Sequence, residues 1–258
     1  MTVFTDRDIG VLESTALSMS RALHPSHPAV LDTYRKLADA HVDRQDHSAA
    51  LSVYSRILFL ISSGGNGRAD AAAAAPAVPC ALPPLPECAA PDEVRRYADT
   101  LGKIGDVHSS RGDYGDAIAV YRHTLFLYVG NLGDGHPFVG RIRRNLGILL
   151  HQTRRDGEAD DMFERALRAF LSARRRASPT PGEPWDADVL DRDVALTHRT
   201  MGGVAEERAD YTGAILSYAA CAEVYVDAQR RRRSAGQPPA LRGGSPGDPA
   251  ELAEGYRA

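Results

Sequence analysis

Cysteine is scarce in this 258-residue chain, and what there is suggests no disulfide framework. Cys80 and Cys88 lie in a proline-rich stretch and Cys221 in a helical pattern. The three have neither the pairing of a secreted scaffold nor the spacing of a zinc site, so a reducing compartment is expected. No apolar run is long enough to span a bilayer. Met1–Gly10 carries Asp6, Arg7 and Asp8 where a secretory leader would have a basic start and an apolar run. A formal net charge of -3, with 25% charged residues, gives no global attraction to nucleic acid or to an anionic membrane. A glycine-rich phosphate loop, a nucleophile elbow and a metalloprotease motif are all missing, so neither a reaction nor a cofactor is implied. These absences leave the expectation of a soluble cytoplasmic protein that is not an enzyme.

What the chain does have is self-similarity, which decides the architecture when it is present. An apolar residue followed at once by a small one occurs at Leu37-Ala38, Ile104-Gly105, Leu146-Gly147 and Met201-Gly202. Twelve residues after each small residue stands an alanine: Ala50, Ala117, Ala159 and Ala214. Four residues further stands an aromatic: Tyr54, Tyr121, Phe163 and Tyr218. Two antiparallel helices approach closely only where small side chains meet, and a larger one would overpack the crossing by about 1–3 kcal/mol. The aromatic is expected to fill the wedge between one helix pair and the next. The connections read Arg44-Gln45-Asp46, Arg111-Gly112-Asp113, Arg154-Arg155-Asp156 and Arg208-Ala209-Asp210, and each aspartate is a candidate N-cap for the second helix.

This pattern resembles the tetratricopeptide repeat over roughly residues 28–60 and 93–230. The finer likeness is to the kinesin light chain type, with its His-Pro element before a first helix, here His27-Pro28 and His136-Pro137. The resemblance implies an all-α fold: a right-handed superhelical array of about four antiparallel helix pairs plus an N-terminal helix. The expected divisions are an N-terminal helix or half repeat at 1–27, repeat 1 at 28–60 and an Ala/Pro-rich low-complexity insertion at 61–92. Repeat 2 follows at 93–130, repeat 3 at 131–176, a Pro-rich loop at 177–187, repeat 4 at 188–230 and a disordered tail at 231–258.

Tetratricopeptide arrays hold partner proteins or peptides along the surface lined by their first helices, so the resemblance implies an adaptor or scaffold. The groove residues it singles out are Asp39, Asp106, Arg141, Arg144, Asn145, His151 and Arg199, flanked by Asp32, Asp43 and Asp99. The early groove is acidic and the third unit basic, a separation that would orient a charged segment. Asp39, Asp106, Ile148 and Gly203 stand where the chaperone-tail clamp of this family needs asparagine, and carboxylates there oppose an acidic tail. The heptad coiled coil that joins kinesin light to heavy chain does not flank the repeats. Self-assembly is one alternative, because an uncapped terminal face can stack on a second copy, and an enzyme with no recognisable motif is the other.

Several sharper motifs have plainer explanations. His41 and His108 are equivalent and could suggest a metal, but the repeat places no third ligand, so core histidines are expected. Ala81–Pro86 reads as a stiff spacer and alternatively as a polyproline ligand. The arginine runs before Ser178 and Ser234 complement the negative poles of helix C-termini and also look like kinase sites.

Overall fold

The computed structural model describes residues 5–24, 26–63, 90–176, 187–234 and 236. Among them the chain is all helical: α1 Asp6–Ala22, α2 Pro28–Asp43, α3 His47–Ser62, α4 Pro91–Arg111, α5 Tyr114–Leu132, α6 Pro137–Gln152, α7 Asp156–Arg176, α8 Ala187–Glu207 and α9 Tyr211–Ser234. No helix among the described residues is long and apolar enough to cross a membrane. Cys80, Cys88, the Ala81–Pro86 segment and Ser178 lie outside the described residues. Residues 231–234 are helical, which corrects the expected start of a disordered tail. Arg231 reaches Asp191, and Arg232 lies 2.5 Å from Asp188, so side-chain pairing carries α9 past the repeat boundary.

The helix starts follow from local chemistry. His27 and His136 are N-caps, each accepting at Nδ1 from the amide two residues on, at 3.2 Å, with proline in the first helical turn. Proline there sacrifices no hydrogen bond, because the first amides of a helix have no intrahelical partner. The His-Pro element is thus a helix-start device.

The links between paired helices are one turn made four times. Asp46, Asp113, Arg155 and Asp210 donate their amides to the carbonyls five residues back, at 2.8–2.9 Å. The residues before them, Gln45, Gly112, Arg154 and Ala209, have φ between 59° and 83° and donate three residues back at 2.8–3.0 Å. This is a Schellman stop, with glycine at the left-handed position in the second turn and side-chain-bearing residues in the other three. The register corrects one expectation. Asp156 is already the first residue of α7, and the position equivalent to Asp46 and Asp210 belongs to Arg155. Asp46 and Asp210 do cap, accepting from Ala49 N at 3.2 Å and Gly213 N at 2.9 Å. Arg155 cannot accept, and instead binds Glu158 with Nε and one terminal nitrogen, at 2.8 and 2.7 Å.

The small-to-aromatic spacing closes each pair internally. A Cβ placed on Gly105 would lie 3.0 Å from the Tyr121 ring, one on Gly147 2.7 Å from Phe163, and one on Gly202 2.7 Å from Tyr218. The aromatic lies across the small residue of its own pair, a correction to the expected wedge between pairs. The reason is direct: an aromatic sixteen residues on returns along the antiparallel helix to the level of the small residue, and the missing side chain leaves room for a ring.

The chain divides into two compact units, Met1–Asn131 and Leu132–Ala258. In the first, α1 packs on α2, α2 on α3 and α3 on α4, while α4 and α5 meet through Gly105 and Tyr121. Its core runs through Val30, Tyr34, Tyr54, Ile57, Tyr97, Leu101 and Ile104. In the second, α6 packs on α7, α7 on α8 and α8 on α9. Phe170, Leu190 and Val194 are among its buried residues.

Candidate functional site

The first helices of the first unit carry carboxylates on their polar face. On α2, Asp32 and Asp43 are exposed and Asp39 is half-buried. Asp39 accepts from the Tyr54 hydroxyl at 2.5 Å and lies 3.4 Å from Lys103 Nζ of α4, so the two first helices are neighbours. On α4, Asp106 accepts from the Tyr121 hydroxyl and Asp99 from the Tyr128 hydroxyl. Asp106 keeps an exposed surface, but protein packed around its carboxyl strips enough water to raise it above the usual carboxylate range, against the lowering effects of Tyr121 and Lys103. Burial, followed by the Asp39 and Asp99 hydrogen bonds, also holds the Tyr54 and Tyr128 phenols well above their ordinary values. These tyrosines serve the acidic row as neutral donors.

The second unit treats its charges differently. Arg141 donates from Nε to Asp193 Oδ2 at 2.9 Å, and Arg144 reaches Asp193 Oδ1 at 3.3 Å. The Asp193 side chain is only 7% exposed and that of Arg144 only 11%, so this triad ties α6 to α8 largely away from water. Desolvation lowers the Arg144 guanidinium, and Asp193 opposes that shift. Arg144 also lies over the Phe170 ring, 5.9 Å from its centroid. His151 is buried, with Nδ1 2.6 Å from Asp156 and Nε2 3.1 Å from Glu207. Arg174 and Arg231 converge on Asp191, whose carboxyl burial pushes up to about 6 against the opposing pull of Arg174. Asn145 is half-buried on α6 and Arg199 exposed on α8.

The residues expected to line one groove therefore fall into two sets. Asp39 and Asp106 share an accessible acidic face with Asp32 and Asp43, whereas Arg141, Arg144 and His151 bind carboxylates of their own unit. Sequence reasoning missed Asp191 and Asp193. The available signal was their place among Leu190, Val194 and Thr197 of α8, all buried. It also missed the tyrosine donors, although Asp39 to Tyr54 and Asp106 to Tyr121 repeat one spacing of fifteen residues.

Comparison with known proteins agrees with this architecture. Residues 96–172 match the tetratricopeptide repeat family, so this stretch carries tetratricopeptide repeats. Among solved structures, it resembles the TPR-like repeats of a Podospora anserina protein assigned as a kinesin light chain, with a TM-score of 0.56 and 12% identity, over 87% of this chain and 88% of that one. BtubC (BKLC) from P. vanneervenii gives a TM-score of 0.48 and 15% identity, over 93% and 96%. Among curated proteins none matches. The tetratricopeptide-repeat reading of residues 96–172 and the all-α fold class are borne out, and the likeness to the Podospora anserina structure is one of fold.

Proposed function

Starting from the tetratricopeptide repeats of residues 96–172, we propose that this protein is a non-catalytic scaffold whose first unit holds a basic segment of a partner protein along α2 and α4. Repeats of this kind support a protein-interaction role in general. The finer reading rests on one observation: Asp32, Asp39, Asp43, Asp99 and Asp106 lie on two neighbouring first helices, and Asp32, Asp43 and Asp106 are exposed. Such a row raises the capture rate of a cationic segment and disfavours acidic ones. In the second unit Arg141 and Arg144 are paired with the largely buried Asp193, so the binding is assigned to the first unit. Cytoplasmic placement completes this reading.

Affinity capture from source-cell lysate tests it, comparing wild type with an Asp32→Lys, Asp43→Lys double variant and with Arg199→Glu. All three substitutions fall on exposed positions, which spares the fold. A partner retained by Arg199→Glu and lost from the double variant supports the acidic face; a partner held equally by all three proteins refutes it.

Self-association is the second reading. Tyr211, Ile215 and Leu216 of α9 are 66–69% exposed, an apolar strip of the kind a second copy covers. Sedimentation velocity showing a concentration-independent monomer removes it.

A further inference from the structure

The turn between α4 and α5 brings three metal-ligating side chains together. His108 belongs to the last turn of α4 and is 2% exposed, and neither of its ring nitrogens has a hydrogen-bond partner. A buried imidazole without a partner is costly, because both nitrogens have lost water and gained nothing. The Schellman turn folds Asp113 back on it: the Asp113 amide donates to the His108 carbonyl at 2.9 Å, and Asp113 Oδ2 lies 3.7 Å from His108 Nδ1. Asp116 follows in the first turn of α5, and one ligand atom from each of the three residues lies within 4.8 Å of the others.

We propose that His108, Asp113 and Asp116 form a binding site for a divalent transition-metal ion of the zinc class. The donor set selects the metal: an imidazole with two carboxylates suits zinc, cobalt or nickel, whereas magnesium and calcium favour all-oxygen sites. With bonds near 2.1 Å, tetrahedral ligands stand about 3.4 Å apart. The 3.7 Å separation of His108 and Asp113 is close to that, and exposed Asp116 is free to swing in. Arg111 Nε, 3.0 Å from Asp113 Oδ2, fixes that carboxylate as hydrogen-bond partners of metal ligands commonly do. The fourth position would go to water. The ion would pin the end of α4 to the start of α5.

The other turns supply controls. At the first, His41 and Asp46 reproduce the 3.7 Å pair, but Ala49 stands where Asp116 would be. At the third and fourth, Leu150 and Ala205 replace the histidine. The expectation of no metal rested on the repeat supplying no third ligand; the second turn alone joins the histidine to a carboxylate at the Asp116 position, since Glu158 of the third turn has Leu150 in place of the histidine.

The test is calorimetric titration of zinc chloride into the full chain after chelator treatment, with cobalt(II) as a spectroscopic probe. One equivalent should bind, the melting temperature should rise with zinc, and cobalt should give the visible absorption of a tetrahedral site. His108→Ala should abolish binding. Asp116→Asn, on the surface and therefore safe for folding, should weaken it by at least about a hundredfold, since even partners of ligands contribute ten- to hundredfold. His41→Ala should leave it unchanged. Equal zinc affinity in wild type and Asp116→Asn would overturn the site, and so would magnesium binding as tightly as zinc.

Discussion

The two units of this chain use the same helix pair and hold it in opposite ways. In Met1–Asn131 the first-helix carboxylates stay at least partly open and take hydrogen bonds from neutral tyrosines: Asp39 from Tyr54, Asp99 from Tyr128 and Asp106 from Tyr121. In Leu132–Ala258 buried aspartates collect arginines from neighbouring helices, Arg141 and Arg144 at Asp193 and Arg174 and Arg231 at Asp191. Backbone geometry is shared down to the left-handed residue of each turn. Polar chemistry therefore varies on one repeat register: the first unit keeps these carboxylates near its surface, and the second buries two of its own while Tyr218 still donates to exposed Glu206 at 3.0 Å.

The contrast can be broken most severely at Asp193. Replacement by alanine removes the carboxylate that pairs with Arg144, whose side chain is only 11% exposed, and is expected to cost roughly 3–5 kcal/mol in urea unfolding. Tyr121→Phe in the first unit should cost only about 1 kcal/mol, because Asp106 turns to water. Next comes acidity. The folded-state value of Asp191, about 6, lies above the ordinary unfolded one near 3.9, so its protonated form is favoured by the fold. Its contribution is complete below about pH 4 and is lost as pH rises through about 6. Asp191→Asn should therefore flatten the melting temperature across that window, an effect on the order of 2 kcal/mol, and should leave the first unit unmoved. A third test compares equivalent small residues. Gly147→Ala puts a Cβ 2.7 Å from Phe163 and should cost about 1–2 kcal/mol even after the helix-propensity gain, whereas the first helix pair already holds Ala38 at this position. The smallest effect is a gain: Arg154→Gly relieves a side chain held at φ 61° and should stabilise by about 1 kcal/mol in the same unfolding assay.

Steric demands were legible in the sequence because they recur. Gly105 with Tyr121, Gly147 with Phe163 and Gly202 with Tyr218 each mark a ring lying on a bare backbone, and the first repeat keeps a small residue, Ala38, at the same position. The His-Pro starts were legible for the same reason. Charge pairing was not. Asp193 meets Arg141 from 52 residues away and Asp191 meets Arg231 from 40, distances that no local pattern encodes. Arg141 and Arg144 consequently read as groove residues when only their own helix was in view. The aspartate in Arg154-Arg155-Asp156 was misplaced by one residue because triplet similarity outweighed the four-residue step back from Ala159, which points to Arg155.

The acidic face of the first unit carries the proposed partner binding. Fluorescence anisotropy of labelled Lys/Arg-rich and Asp/Glu-rich peptide pools, titrated with the full chain at two salt concentrations, measures it directly. The prediction is that basic peptides bind, that binding weakens at higher salt as charge steering requires, and that it disappears in the Asp32→Lys, Asp43→Lys variant. Acidic peptides binding as tightly, or basic peptides binding the variant unchanged, would contradict it.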